Sequence, residues 1–188
     1  MKRRGFTLVE ILGIAAIIAI IVYLVVVGYN GVYRSWAVRN TIAAMKNVHV
    51  ALEKFRLENG YLPIKNPPGK LEFAASSEEY KALAHDLVQT VHPYARNFDG
   101  TVKVFDDFGS KSDKNNIRPI YYAFPYEDTG TFALYSYGKD GAAGGHDDII
   151  YLPAGLSGKK LPPGFYLVDL NSSGVIQGSG DDIEPLAK

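Results

Sequence analysis

Hydrophobic positions follow two different patterns in the first 60 residues. Over Phe6–Gly28, 19 of 23 residues are apolar and no polar face interrupts them. Over Trp36–Phe55, apolar residues recur every two to four positions with charged residues between them, as in an amphipathic helix. The whole stretch lacks proline. These patterns predict one helix over 6–58 that stops at Asn59-Gly60, a common helix terminus.

The first apolar run has the length of a membrane segment, since about 20 apolar residues cross a hydrocarbon core of roughly 30 Å. Lys2, Arg3 and Arg4 precede it, which favours a cytoplasmic amino end and an outward-facing remainder. The run lacks a small-x-small cleavage site at its far end, so we expect it to be retained. Glu10 lies inside the run. Because a carboxylate there costs a few kcal/mol, a function with a charged partner is expected. The alternative is that Glu10 lies near the membrane interface and merely snorkels or is protonated.

The remainder of the chain predicts a small α+β head. Ser76–Val91 is expected to form a second helix with Ser77 as its cap. Four stretches rich in β-branched and aromatic residues predict strands: Thr101–Phe105, Ile120–Pro125, Thr131–Tyr137 and Phe165–Leu170. We expect a small antiparallel sheet packed on the long helix. The 13 tyrosines are interpreted as half-buried sheet residues rather than as a carbohydrate site.

Composition narrows the functional classes. The 188 residues include 20 basic and 20 acidic side chains and no cysteine, which disfavours a nucleic-acid partner and excludes disulfides and a cysteine nucleophile. The four histidines lack metalloprotease spacing, and neither a hydrolase elbow nor a phosphate-binding loop occurs. Asp106-Asp107 is interpreted as a solvated turn. We therefore expect no enzyme, with an anchored hydrolase as the alternative of a different class.

An acidic, glycine-rich stretch runs over Ser136–Ile149. It places Asp140, Asp147 and Asp148 among four glycines. Calcium prefers six to eight hard oxygens, and glycines allow tight turns that expose carbonyls. The stretch lacks the spacing of an EF-hand. On this chemistry alone, a calcium site and a solvated acidic turn are both open.

The amino end resembles the class III signal of type IV pilins and pseudopilins. The residues that carry the resemblance are Lys-Arg-Arg-Gly followed by Phe-Thr-Leu-Val-Glu, over 2–10. The resemblance implies that a prepilin peptidase cleaves between Gly5 and Phe6 and methylates the new amino end at Phe6. It also implies that Glu10 is the acid used in assembly. The sequence has Val27 where the family often has a proline, so it departs from the pattern there.

The acidic stretch resembles the calcium loop of the major pseudopilin of type II secretion systems. The resemblance implies one Ca²⁺ held by Asp140, Asp147 and Asp148, with the Tyr137 backbone carbonyl as a further ligand. His146 stands where the family usually has a small or acidic residue, which is a departure.

The combined resemblance implies a type IV pilin-like α+β fold and a structural role. The expected regions are a cleaved leader at 1–5, a membrane and assembly helix at 6–33, its amphipathic continuation at 34–59, and a head at 60–188. A carboxy-terminal extension is expected from about 152, and Asp181 and Asp182 in it are interpreted as a solvated turn.

The implied function is that of a structural subunit of a periplasmic pseudopilus that polymerises to drive protein export in type II secretion. The implied partners are further copies of the chain, prepilin peptidase, the inner-membrane assembly platform and minor pseudopilins, without nucleic acid. The implied location is the bacterial inner membrane, single-pass, with a cytoplasmic amino end and a periplasmic head. The alternative is a type IV pilus subunit for adhesion, motility or DNA uptake. The absence of a cysteine pair favours the pseudopilin.

Overall fold

A computed structural model gives the fold and describes residues 8–91, 94–109, 118–178 and 183–186. The chain divides after Trp36 into two compact units. In the first unit, Leu8–Gly28 belongs to helix α1 (Leu8–Asn59) and is long and apolar enough to cross a membrane. Its large side chains are exposed. Length and composition agree with the predicted membrane segment.

Helix α1 ends where the sequence predicts, at Asn59 and Gly60. Gly60 has a φ of +80°, a left-handed conformation that glycine adopts without strain. Its N–H donates to the carbonyl of Arg56 at 2.7 Å, and the Asn59 side chain donates to the carbonyl of Phe55 at 3.0 Å. The Gly60 bond satisfies one of the last four carbonyls, which the helix itself leaves without a donor, and the Asn59 bond adds a second contact at the same end.

Ten strands and a second helix follow α1 in the described part of the second unit. They are β1 (Lys65–Lys70), β2 (Glu72–Ala74), α2 (Lys81–Thr90), β3 (Ala95–Phe98), β4 (Thr101–Val104), β5 (Tyr121–Phe124), β6 (Ala133–Ser136), β7 (Asp148–Leu152), β8 (Gly164–Leu170), β9 (Ile176–Gln177) and β10 (Glu184–Leu186). One antiparallel sheet has the order β1-β5-β6-β7-β8-β10, with β9 paired to β8, and a smaller sheet has the order β2-β4-β3. The predicted α+β class is confirmed.

Both edge strands of the larger sheet contain proline. Strand β1 includes Pro67 and Pro68, and β10 includes Pro185. The pairing of β1 with β5 shifts register between Lys65 and Gly69, where the two prolines lie. Proline has no N–H for the ladder and is tolerated at sheet edges and irregularities. A strand of this composition has no periodicity that sequence analysis could detect.

One face of the larger sheet packs on α1. Buried side chains of α1 and α2 share a single apolar cluster with inward-facing residues of the sheet: Met45, Val48, Leu52, Phe55, Leu83, Leu87, Ile120, Tyr122, Phe132, Leu134 and Ile149. The amphipathic stripe predicted for this part of α1 therefore lies in the core of the head, as the spacing of its apolar residues required.

The opposite face of the sheet is also buried. Alternate residues of the same strands, such as Tyr135 and Ile150, form a second apolar cluster with Leu156, Val168 and Ile176 from the carboxy-terminal part of the chain. The segment after Leu152 thus contributes strands to the sheet and covers its outer face. Its role, which the sequence leaves open, is to complete this second core.

The structure corrects two details of the predicted elements. Helix α2 begins at Lys81 rather than Ser76, and its first residue follows Tyr80 without a side-chain cap. Ser77 instead accepts a backbone bond from Tyr80 within a turn. Strand β7 was not predicted, because Ile149 and Ile150 face opposite apolar layers and so show no polar alternation.

Leu52→Ala should destabilise the head by about 2–5 kcal/mol, because Leu52 is fully buried in the α1–sheet cluster. The matched control is Leu57→Ala on the same helix, whose side chain is 82% exposed and which should change stability by less than about 0.5 kcal/mol. Denaturant unfolding of the full-length protein in detergent, followed by tyrosine fluorescence, measures both. Equal effects of the two substitutions would contradict the packing described.

Candidate functional site

The acidic stretch connects two neighbouring central strands. Strand β6 ends at Ser136, β7 begins at Asp148, and the two pair antiparallel with Ser136 opposite Ile149. The intervening residues form a compact loop, which we call the β6–β7 loop (residues 137–147). Both of its ends are fixed by the sheet, so the sheet brings the acids at its two ends together.

Glycine is required where the two ends of the loop meet. Gly138 has a φ of +56°, and a Cβ atom there would stand 2.1 Å from the carbonyl oxygen of Asp147. Any side chain would therefore collide with the backbone across the loop. Gly145 has a φ of +86°, and a Cβ on it would lie 3.3 Å from Oδ1 of Asp147 and 3.4 Å from Oδ2 of Asp140. Two of the predicted ligands thus face the same glycine.

Asp140 and Asp147 each use one carboxylate oxygen to hold the loop backbone. Oδ2 of Asp147 accepts from the N–H of Lys139 at 2.7 Å and of Asp140 at 3.4 Å. Oδ1 of Asp140 accepts from the N–H of Ala142 at 2.8 Å. The remaining oxygens of the two acids are those that face Gly145.

Asp148 is completely buried at the start of β7. Its Oδ2 accepts from the N–H groups of Gly144 and Leu170, both at 2.8 Å, whereas its Oδ1 is buried without a hydrogen-bond partner. Burial raises the pKa of this carboxyl to about 6, although the two backbone bonds lower it; the nearby acids Asp147 and Asp140 add to the rise. A buried oxygen without a donor is costly unless another group satisfies it.

The donor chemistry of the loop fits calcium. Each of the three acids gives one oxygen to the backbone and keeps a second: Oδ2 of Asp140, Oδ1 of Asp147 and the unsatisfied Oδ1 of Asp148. Hard carboxylate oxygens of this kind are what Ca²⁺ prefers. Within the described residues, however, three His, Asp or Glu side chains do not gather closely enough to hold a metal together.

Tyr137 and His146, which lie next to the acids in the loop, make contacts that the sequence did not predict. The carbonyl of Tyr137, a predicted ligand, accepts from the N–H of Gly141 at 3.1 Å inside the loop. His146 has a left-handed φ of +56°, and its Nδ1 lies 3.9 Å from Oδ1 of Asp169 on β8. The loop is therefore held by its own backbone and also lies beside an acid that the sequence did not single out.

The solvated turn expected at Asp106-Asp107 is wrong, because both side chains are buried. Asp106 accepts from the Ser136 hydroxyl, and that hydroxyl oxygen accepts from the N–H of Gly138 at 3.3 Å. On the other side, Asp107 accepts from the Asn40 amide at 2.8 Å. The two acids thus join α1 to the start of the β6–β7 loop through buried hydrogen bonds.

Arg118 makes a second contact with the β6–β7 loop that sequence analysis did not predict. Its Nη1 donates to the carbonyl of Gly138 at 2.7 Å and also to that of Lys139. Arg118 precedes β5 by three residues and is twenty positions away from the loop in sequence. No local motif marks such a contact.

The amino-terminal site lies only partly within the described residues. Gly5 and Phe6, the predicted cleavage pair, fall outside them, as do Asp181 and Asp182. Glu10 is in the first turn of α1 and is exposed. The structure therefore places the predicted assembly acid in the first turn of the helix.

Comparison with known proteins gives one informative match. Neither a protein-family model nor a solved structure matches the chain. The type II secretion system core protein G of Pectobacterium carotovorum subsp. carotovorum is 25% identical over 150 residues, which cover 79% of this chain and 83% of that protein. This chain resembles a G-type pseudopilin. The pseudopilin resemblance therefore extends far beyond the amino-terminal motif and includes much of the head.

Because of Asp106, the head should be more stable in mild acid than at neutral pH. Burial raises its folded pKa to about 6, against hydrogen bonds from Ser136 and Phe108 and the charge of Arg118, which lower it. The unfolded value is about 3.9. The folded state therefore binds the proton more tightly, and stability falls as pH rises from about 4 through 6, by on the order of 3 kcal/mol.

The comparison of wild type with Asp106→Asn isolates this contribution, because asparagine resembles the protonated acid. The free energy of unfolding, measured in detergent at pH 7 and pH 4.5, should favour the variant more at pH 7. A difference between the two proteins that does not change with pH would refute the assignment.

Proposed function

We propose that this chain is a structural, non-enzymatic subunit of the periplasmic pseudopilus of a type II secretion system. The observation that carries the proposal is the similarity to a type II secretion core protein over 79% of the chain. The apolar segment Leu8–Gly28 supports it, because a subunit of this kind would lie in the membrane before assembly. The head, with both sheet faces buried, supplies a compact outer domain.

The proposed location is the bacterial inner membrane, with the amino end in the cytoplasm and the head in the periplasm. The three basic residues at positions 2–4 support this orientation, since cytoplasmic flanks carry the excess of Lys and Arg. Prepilin peptidase would cleave between Gly5 and Phe6 and methylate Phe6. The mature subunit would then join further copies, minor pseudopilins and the inner-membrane assembly platform.

Glu10 is proposed to guide assembly by pairing with the Phe6 amino group of an adjacent copy. That amine has a reference pKa near 8 and is cationic at neutral pH. Glu10 is exposed within an apolar segment of the chain. A carboxylate and an amine that enter an apolar bundle stabilise each other there, whereas removal of one partner costs about 3–5 kcal/mol.

Glu10→Leu should abolish filaments and leave exported proteins in the periplasm, because the amine of the neighbouring copy loses its partner. Ile11→Leu in the same segment is the control and should assemble normally. Sedimentation of sheared filaments and the secreted fraction of cargo report the outcome, and intact mass should show loss of residues 1–5 in all three proteins. Wild-type filament yield from Glu10→Leu would refute the pairing. Lost surface pili with unimpaired secretion would indicate a type IV pilus instead.

The β6–β7 loop is proposed to bind one Ca²⁺. Asp140, Asp147 and Asp148 would hold it through the oxygens that do not bond the backbone, once the loop brings these side chains closer together than they lie in the structure. The Tyr137 carbonyl would be a further ligand. The unsatisfied buried Oδ1 of Asp148 is the main support, because a bound cation would relieve its desolvation. The ion would neutralise the three neighbouring acids and so order the head.

Calcium should raise the melting temperature of the full-length protein in detergent by several degrees relative to chelator. A ligand that binds only the folded state adds about 2.7 kcal/mol at a hundredfold excess over its Kd. Asp140→Asn should reduce the shift while it keeps the backbone bond to Ala142. Asp99→Asn, an exposed acid in another turn, is the matched control. Identical melts of wild type in calcium and chelator would show that the loop does not bind calcium.

A further inference from the structure

The Arg118 side chain contacts the first turn of the β6–β7 loop at three residues. Its Nη1 donates to the carbonyls of Gly138, at 2.7 Å, and Lys139. The guanidinium also lies against Gly141, where a Cβ atom would stand 3.2 Å from Nε. Gly141 has a φ of +72°, so that position both requires the left-handed conformation and leaves little room beside the arginine. The turn therefore packs closely against the guanidinium of Arg118.

The backbone of Arg118 is itself fixed in the head. Its carbonyl accepts from the N–H of Asp106 at 2.9 Å. Asp106 in turn binds the Ser136 hydroxyl, whose oxygen accepts from the N–H of Gly138. Both the N–H and the carbonyl of Gly138 are therefore held by groups anchored at the same place in the fold. The start of the loop, at Gly138, is therefore fixed by hydrogen bonds on both sides.

A guanidinium is charged at every accessible pH and bonds through a planar set of donors. Its bonds to the loop carbonyls join protein atoms alone, so they do not need a metal ion in order to form. We propose that Arg118 is the positioning residue of the β6–β7 loop, whose guanidinium holds the Gly138–Gly141 turn in one conformation and presents Asp140 for cation binding. Because the turn is ordered in advance, calcium binding loses less conformational freedom, which strengthens affinity. The role in calcium binding rests on the proposed function of the loop; the ordering of the turn does not.

The direct test is amide hydrogen exchange of full-length Arg118→Met in detergent, with chelator. The N–H groups of Lys139, Gly141 and Ala142 are hydrogen-bonded within the loop. They should exchange at least tenfold faster than in wild type, while amides of strand β7 keep their protection. Arg39→Met, which removes an exposed arginine of α1, is the matched control and should exchange like wild type. A loss of protection throughout the sheet would mean only general destabilisation and would overturn the proposal.

Arg118→Lys keeps the charge and tests the geometry if the methionine variant does not fold. It should give intermediate protection of the same three amides, because an ammonium on a shorter stem lacks the planar donors. Unchanged protection of the loop in both variants would overturn the proposal.

Calcium titration separates the two parts of the inference. Arg118→Met should bind calcium at least tenfold more weakly than wild type by calorimetry, and saturating calcium should restore the slow exchange of its loop amides. If neither protein binds calcium but the variant still loses loop protection, the calcium proposal fails and the positioning role stands. Equal calcium affinity of the two proteins would overturn the link between Arg118 and metal binding.

Discussion

The head depends on burial of the apolar stripe of α1 against one face of the larger sheet. Met45, Leu52 and Phe55 of the helix share a core with the inward residues of the central strands. This contact fixes which face of each strand points inward, since a slip by one residue would turn the whole set outward. The opposite residues then need their own cover, and the chain after Leu152 supplies it.

The polar residues buried in the described head lie almost entirely at one end of this arrangement. Thr41, Asp106, Asp107 and Ser136 connect α1 to the β6–β7 loop, and Asp148 closes it. Burial of a carboxylate is unfavourable unless hydrogen bonds compensate it. Here backbone N–H groups and hydroxyls provide most of these bonds, but Oδ1 of Asp148 is left without one.

Much of the fold follows from local patterns. The apolar run, the amphipathic stripe and Asn59-Gly60 predict α1 correctly because helix periodicity and its terminator are short-range features. Strands β4, β5, β6 and β8 were found from aromatic and β-branched runs. Strand β7 was not predicted because both of its faces are buried and it shows no polar alternation. Strand β1 was not predicted because it contains two prolines.

In the candidate site, too, only the residues that are close in sequence were predicted. Asp140, Asp147 and Asp148 were found because they are close in sequence, and the sheet brings their loop ends together. Arg118 and Asp106 could not be found from sequence, because their contacts with the loop span twenty to thirty positions. The burial that raises the pKa of Asp106 likewise depends on side chains from several elements.

The prolines at both edges of the larger sheet have a consequence for a protein proposed to accumulate at high density in a filament. An open strand edge is a template for another chain, and crowded heads with such edges would risk cross-β aggregation. Pro67 and Pro68 interrupt the ladder at one edge, and Pro185 removes an N–H at the other. These prolines disfavour extension of the sheet from one head into the next, which is compatible with the proposed self-association through the helical part of the chain.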